Sequence, residues 1–183
     1  LPLQHASDRV LRRMRRKGDR ALIDRLIEKI RARIPGVTLR SSFIVGFPGE
    51  TDEDFEELLS FIQQVRFDHV GVFTYSREEG TPAAELDGQL PEEVKLQRRE
   101  AAMEAQRAIS RAINRSLVGK VFPMLVDGPS SESDLVLVAR GQRHAPEIDG
   151  VTYIANKWVD PGQMVDVRIV EAHDYDLVGE VVS

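Results

Sequence analysis

The sequence predicts an α/β ligand-binding half followed by a small all-β barrel, and three observations carry that prediction. Residues 37–50, VTLRSSFIVGFPGE, read as an apolar strand that runs into a glycine-proline turn and then a helix start. Residues 67–75, FDHVGVFTY, repeat the strand pattern after an intervening helix, as a βαβ unit does. From Gly119 the texture changes to short apolar runs separated by Gly, Pro, Asp and Ser.

Length and composition set the bounds. The 183 residues suffice for one large or two small domains, and 42% hydrophobic with 30% charged residues is the balance of a soluble globular protein. No apolar run approaches the roughly 18 residues of a membrane span, and no signal peptide is visible, so a cytoplasmic address without membrane attachment is expected. The absence of cysteine excludes disulfides and thiolate metal sites, and the four histidines lack ligand spacing. His173, Asp174 and Asp176 read as a solvated acidic turn.

Residues 1–5, LPLQH, resemble the carboxyl end of an inner strand, with Gln4 and His5 facing a site. A strand at this point with no methionine before it predicts that an earlier part of the chain is missing. For His5 a structural hydrogen bond is the expected role. Ser7 caps the next helix, which places Val10, Leu11 and Met14 on one face and Arg9, Arg12, Arg13, Arg15, Arg16 and Lys17 on the other, read as solvated with an anion-binding role as the alternative. Gly18 ends it. Asp19 caps a second helix with Leu22, Ile23, Leu26, Ile27 and Ile30 at helical spacing, stopped by Pro35 and Gly36.

Val37, Leu39, Phe43, Ile44 and Val45 then predict a strand buried on both faces. Gly46 and Gly49 allow close backbone approach to a ligand, and Pro48 stiffens the turn between them. A plain βα turn is the bland alternative. Thr51 and Asp54 form a capping box before Phe55, Leu58, Leu59 and Ile62, and the acidic residues from Glu50 to Glu57 suit the helix dipole. In the next strand Phe73 and Tyr75, two apart, share a face, so Phe73 is either a packing residue or a stacking partner for a flat ring. Residues 77–90 read as an exposed loop, and Pro91 opens a long helix to about Leu117.

Beyond that boundary the runs KVFPMLV, DLVLVAR, VTYIA, MVDVRIV and DLVGEVV predict a five-stranded barrel of the OB type. The domains are therefore 1–116 and 117–183. Residues 117–183 carry eleven acidic side chains against five basic ones, Lys120, Arg140, Arg143, Lys157 and Arg168, whereas 1–116 are nearly balanced. Binding a phosphate backbone depends on basic residues that displace counterions, so nucleic acid is not expected as a partner and a basic protein suits this barrel.

The segments PLQHASDRVL, LRSSFIVGFPGETDEDF, FTYSREEGTPAA, APEIDGVTY and DYDLVGEVV together resemble the radical S-adenosylmethionine methylthiotransferases along essentially the whole chain. The resemblance is closest to the branch that modifies an aspartate of a small-subunit ribosomal protein. His5 within PLQHAS, the acidic barrel and APEIDG at 145–150 separate it from the tRNA-modifying branch. It implies the second half of an open (β/α) radical SAM barrel followed by a TRAM domain. It also implies S-adenosylmethionine as cofactor, with two four-iron, four-sulfur clusters in the full-length protein and none held by this cysteine-free chain, which alone would be inactive.

By this resemblance Gln4, Ser7, Arg40, Ser42, Ile44, Val45, Gly46, Phe73 and Tyr75 line the S-adenosylmethionine site, with no catalytic or metal-binding residue in the chain. Physical chemistry accommodates the assignment: Arg40 suits the methionine carboxylate, backbone near Val45 and Gly46 the adenine edge, and Phe73 or Tyr75 its face. Methylthiolation of a β-carbon of aspartate in the basic ribosomal protein, docked by the acidic TRAM domain, is the activity implied for the parent enzyme. A tRNA methylthiotransferase and a non-catalytic binding module are the alternatives.

Overall fold

A computed structural model describes residues 1–182, which divide into two compact units, Leu1–Ile109 and Ser110 onward. In the first unit β1 (Arg40–Val45) and β2 (His69–Thr74) pair in parallel through the intervening α3 (Asp52–Val65), with Ser42 opposite Gly71 and Ile44 opposite Phe73. Residues 1–5 do not form the expected strand. Gln4 alone joins the sheet, by a parallel bridge to Phe43: its N–H donates to Ser42 O at 3.0 Å and its carbonyl accepts from Ile44 N at 2.8 Å.

Burial alternates along β1, which corrects the expectation of a strand covered on both faces. Ser41, Phe43 and Val45 are buried under the helices, whereas Arg40, Ser42 and Ile44 are half-buried on the other face. Phe43, Phe61 and Phe67 meet edge to face at centroid separations of 5.7 to 6.1 Å and fill the space between sheet and helices with Leu58 and Ile62.

The helices follow their local signals closely. Ser7 caps α1 (Asp8–Arg13), Asp19 caps α2 (Arg20–Arg33), and Thr51 with Asp54 completes the capping box of α3. α1 is shorter than predicted and ends before Met14, with Arg15 already in the left-handed region at φ 56°. The apolar stripe of α2 is only partly covered: Ile27 is buried while Leu22 and Leu26 are exposed. Residues 77–90 are largely exposed, as their composition predicts, but are not irregular throughout. They contain a 3-10 helix, Pro82–Glu85, capped by Thr81, and Ala84 is buried. The long helix α4 (Glu92–Arg115) follows.

The second unit is a closed barrel of all five predicted strands: β3 (Val121–Ser130), β4 (Ser133–Gly141), β5 (Thr152–Ile154), β6 (Met164–Ala172) and β7 (Leu177–Val181). Their order around the barrel is β3-β4-β5-β7-β6, with β5 and β7 parallel and the other pairs antiparallel. Met124, Val126, Leu137, Ile154, Val167, Ile169 and Leu177 alternate inward to fill it. Pro123 lies where β3 pairs with β6 but not yet with β4, the position where a missing N–H is harmless.

Candidate functional site

The first unit concentrates its buried polar groups at the carboxyl ends of the parallel strands, around the Gly46–Glu50 turn. Glu50 organises it. Its fully buried carboxylate accepts from Gly46 N at 2.8 Å and Phe47 N at 3.3 Å through Oε2, and from Arg98 Nη1 at 2.8 Å through Oε1. Arg98 also donates to Glu50 O at 3.2 Å and to Asp52 Oδ1 at 2.6 Å. On the other side His5, fully buried, places Nε2 3.6 Å from Glu50 Oε2. Its Nδ1 accepts from Ser7 N at 3.0 Å, which leaves the ring proton on Nε2, facing the carboxylate.

The amide donors of Gly46 and Phe47 are therefore taken up within the chain. Glu50 N donates to Phe47 O, and Thr51 N to Asp54 Oδ2 at 2.8 Å. A turn whose N–H groups are consumed in this way is not an anion cradle, although strand, glycine turn and helix start follow one another as they do in phosphate sites.

Two arginines of the α1 run that composition assigned to solvent hold this turn instead. Arg9 pairs with Asp54 and donates to Gly49 O at 2.7 Å, while Arg13 donates to Pro48 O at 2.9 Å and to Asp87 Oδ1 at 2.6 Å. Asp54 also accepts from Ser7 Oγ at 2.6 Å and from Thr51 Oγ1 at 2.9 Å. Burial alone would raise the Asp54 carboxyl. The hydrogen bonds from Arg9, Ser7 and Thr51 outweigh burial and hold it well below the usual carboxylate range. Residues 77–90 close over the same turn, with Gly49 N donating to Gly88 O at 2.7 Å.

The glycines of the turn admit the protein's own side chains. Gly46 lies at φ 73°, and a Cβ there would overlap the aliphatic stem of Lys95, whereas one at Gly49 would come within 2.9 Å of the Arg13 guanidinium. Lys95 Nζ reaches on to Tyr75 O at 3.1 Å and Glu92 Oε2 at 3.0 Å.

Of the residues singled out from sequence, Gln4, Ser7, Ile44, Val45, Gly46, Phe73 and Tyr75 lie at or near this end of the sheet, in different surroundings, whereas Ser42 is mid-strand and Arg40 begins β1 at the opposite end, across from His69. Gln4, Ser42 and Ile44 are joined by the bridge described above, and Tyr75 N donates to Val45 O at 2.9 Å. Phe73 and Tyr75 part company. Phe73 is 60% exposed, whereas Tyr75 is buried against Phe47 at 5.2 Å between ring centroids, within a cluster that includes Val10 and Ile44. The Tyr75 hydroxyl is buried with no hydrogen-bond partner among the described residues. Arg40 and Ser42 lie on the half-buried face of β1 with Ile44, whereas Ser7 is buried and its hydroxyl is spent on Asp54. Sequence reasoning missed Glu50 as a buried acceptor, together with Arg98 and Lys95. The usable signal was a Glu at the end of a Gly-x-x-Gly turn, but its side-chain partner Arg98 lies 48 residues away.

Comparison with known proteins places two families on the chain. Residues 1–62 match the Radical SAM superfamily and residues 118–182 match the TRAM domain. Three relatives bear the name ribosomal protein uS12 methylthiotransferase RimO. The chain is 52% identical to that of Syntrophotalea carbinolica over its whole length, 50% identical to that of Geotalea uraniireducens and 49% identical to that of Anaeromyxobacter sp. strain K. It spans 39% to 41% of the length of these relatives.

Proposed function

The chain belongs to the radical S-adenosylmethionine methylthiotransferases of the RimO type, and from that premise we propose that it serves as the carboxy-terminal part of an enzyme that methylthiolates an aspartate of a ribosomal protein. In this reading residues 1–116 are the second half of an open (β/α) barrel and 117–183 an OB-like TRAM barrel. The strand order, with one parallel pair closing the barrel, supports the second assignment.

The observation that carries the cofactor reading is the half-open face of the sheet. Phe73 presents its ring to solvent over Gly71, beside the row Arg40, Ser42 and Ile44, and the buried Tyr75 hydroxyl has an unused hydrogen-bonding capacity. A flat nucleoside with a carboxylate tail suits that set. Phe73 would cover the base, Ile44 would back it and Arg40 would pair with the carboxylate. Bound there, S-adenosylmethionine supplies radical chemistry, and these residues supply its orientation.

The iron-sulfur clusters do not fit the residues present. The chain has no cysteine, and the described residues contain no group of three or more His, Cys, Asp or Glu able to hold a metal ion. Cluster ligands would belong to the portion of the relatives outside this chain, which by itself is expected to be inactive. No helix among the described residues is long and apolar enough to cross a membrane, and a cytoplasmic enzyme is the reading proposed.

The excess of acidic residues in 117–183 supports docking of a basic protein substrate. The test mixes the full-length protein with the basic ribosomal protein and, separately, with tRNA at moderate salt. Binding of the ribosomal protein that weakens as salt rises is the expected result, and preferential binding of tRNA overturns the reading.

A further inference from the structure

We infer that Arg98 and Lys95, on the first turns of α4, are positioning residues for the Gly46–Phe47 backbone; only the consequence for cofactor binding rests on the function proposed above. Neither residue falls in the stretches matched by the two families, 1–62 and 118–182. Arg98 holds the turn after β1, and Lys95 reaches the ends of both strands.

Arg98 acts on the turn after β1 through Glu50. Its side chain is 7% exposed and its guanidinium fixes Glu50 Oε1 at 2.8 Å and the Glu50 carbonyl at 3.2 Å, so the carboxylate is held with Oε2 against Gly46 N and Phe47 N. Asp52 Oδ1, at 2.6 Å from Nη2, fixes the fork from the far side. Lys95, one turn earlier, spans the ends of both strands. Its stem lies where a side chain at Gly46 would be, and its ammonium bonds the carbonyl of Tyr75, the residue that follows β2. The ammonium also stands 5.5 Å from the Tyr75 ring centroid. Residues three apart on one helix face thus set the turn after β1 and the residue beyond β2 with respect to each other. Neither acts on a ligand directly.

The experiment uses the full-length protein without ligand and reads amide hydrogen exchange at Gly46 and Phe47, then S-adenosylmethionine affinity by calorimetry. Arg98→Met is expected to speed exchange of both amides about tenfold or more and to weaken cofactor binding by a similar factor, the scale of one charge-assisted hydrogen bond. Arg98→Lys recovers part of both, while the amides of Phe43 and Phe61 stay protected. Lys95→Met, which keeps the stem, leaves Gly46 exchange near that of the parent, whereas Lys95→Ala raises it.

Unchanged exchange at Gly46 and Phe47 in Arg98→Met and Lys95→Ala overturns the inference, as does a uniform rise at every amide of the unit. If Arg98→Met does not fold, Arg98→Lys and Glu50→Gln carry the same comparison with smaller expected changes. Should the two amides respond as described while no form, the parent included, binds S-adenosylmethionine, the positioning role stands and the cofactor reading falls.

Discussion

Arg98 Nη1 stands 2.8 Å from Glu50 Oε1 with 7% of one side chain and none of the other exposed, so neither charge has water to fall back on. Removing Arg98 leaves the Glu50 carboxylate buried without its cation, and removing the carboxylate leaves Arg98 only Asp52 and a backbone carbonyl. Glu50→Ala is therefore expected to cost on the order of 3–5 kcal/mol in chemical denaturation, because Nη1 of the buried guanidinium and two backbone N–H groups lose their carboxylate acceptor together. The double variant Glu50→Gln with Arg98→Met should cost less than the sum of the two single changes, which a double-mutant cycle reads directly.

The depressed Asp54 carboxyl gives the first unit an acid-side dependence of stability. Its folded value lies below the unfolded one, so the unfolded chain binds the proton first as pH falls. The contribution is complete above about pH 5 and is lost as pH drops through the unfolded value near 4 and on toward the folded one. Asp54→Asn should flatten this limb, seen as a smaller loss of denaturation midpoint between neutral pH and pH 3 than in the parent. An unchanged slope would mean that other carboxylates set it.

Local chemistry determines which parts of the fold are legible in the sequence. The caps at Ser7, Asp19 and Thr51 depend on residues within three positions, and the five barrel strands on alternation within each run, so both were legible. The polar core was not. Glu50 and Arg98 lie 48 residues apart, Arg13 and Asp87 lie 74 apart, and nothing in a run of arginines marks the two that turn inward. The same holds for residues 77–90. Their composition is that of a loop, but Gly88 O and Asp87 tie them to the turn through partners no local rule connects.

Phe73 in β2 and Tyr75 just beyond it separate stability from binding. Phe73 is 60% exposed, so Phe73→Ala should shift stability by no more than about 0.5 kcal/mol while weakening S-adenosylmethionine binding in the full-length protein. Tyr75→Phe removes a buried hydroxyl that has no hydrogen-bond partner among the described residues and should leave the unliganded fold as stable or slightly more so. Weaker cofactor binding in Tyr75→Phe would show that the ligand engages the hydroxyl. Arg40→Ala is expected to weaken binding by about 1.5–3 kcal/mol, and unchanged affinity by calorimetry removes Arg40 from the site.

The barrel supplies a paired test of packing against polarity at a single contact. Thr152 and Leu177 are partners in the parallel β5–β7 pair, and both are fully buried. Leu177 fills the core, so Leu177→Ala should cost about 2–5 kcal/mol through lost burial and the cavity it leaves. Thr152 Oγ1 is buried with no hydrogen-bond partner among the described residues. Thr152→Val keeps the shape and removes the unsatisfied hydroxyl, so it should stabilise the barrel by about 1 kcal/mol, the desolvation cost of a hydroxyl that gains no bond. The two substitutions act in opposite directions on neighbouring side chains. Thermal unfolding of the full-length protein, followed by Trp158 fluorescence to report on the barrel, should show a lower midpoint for Leu177→Ala and a higher one for Thr152→Val. A destabilised Thr152→Val would mean that the hydroxyl has a partner, such as an internal water, whose loss outweighs the gain.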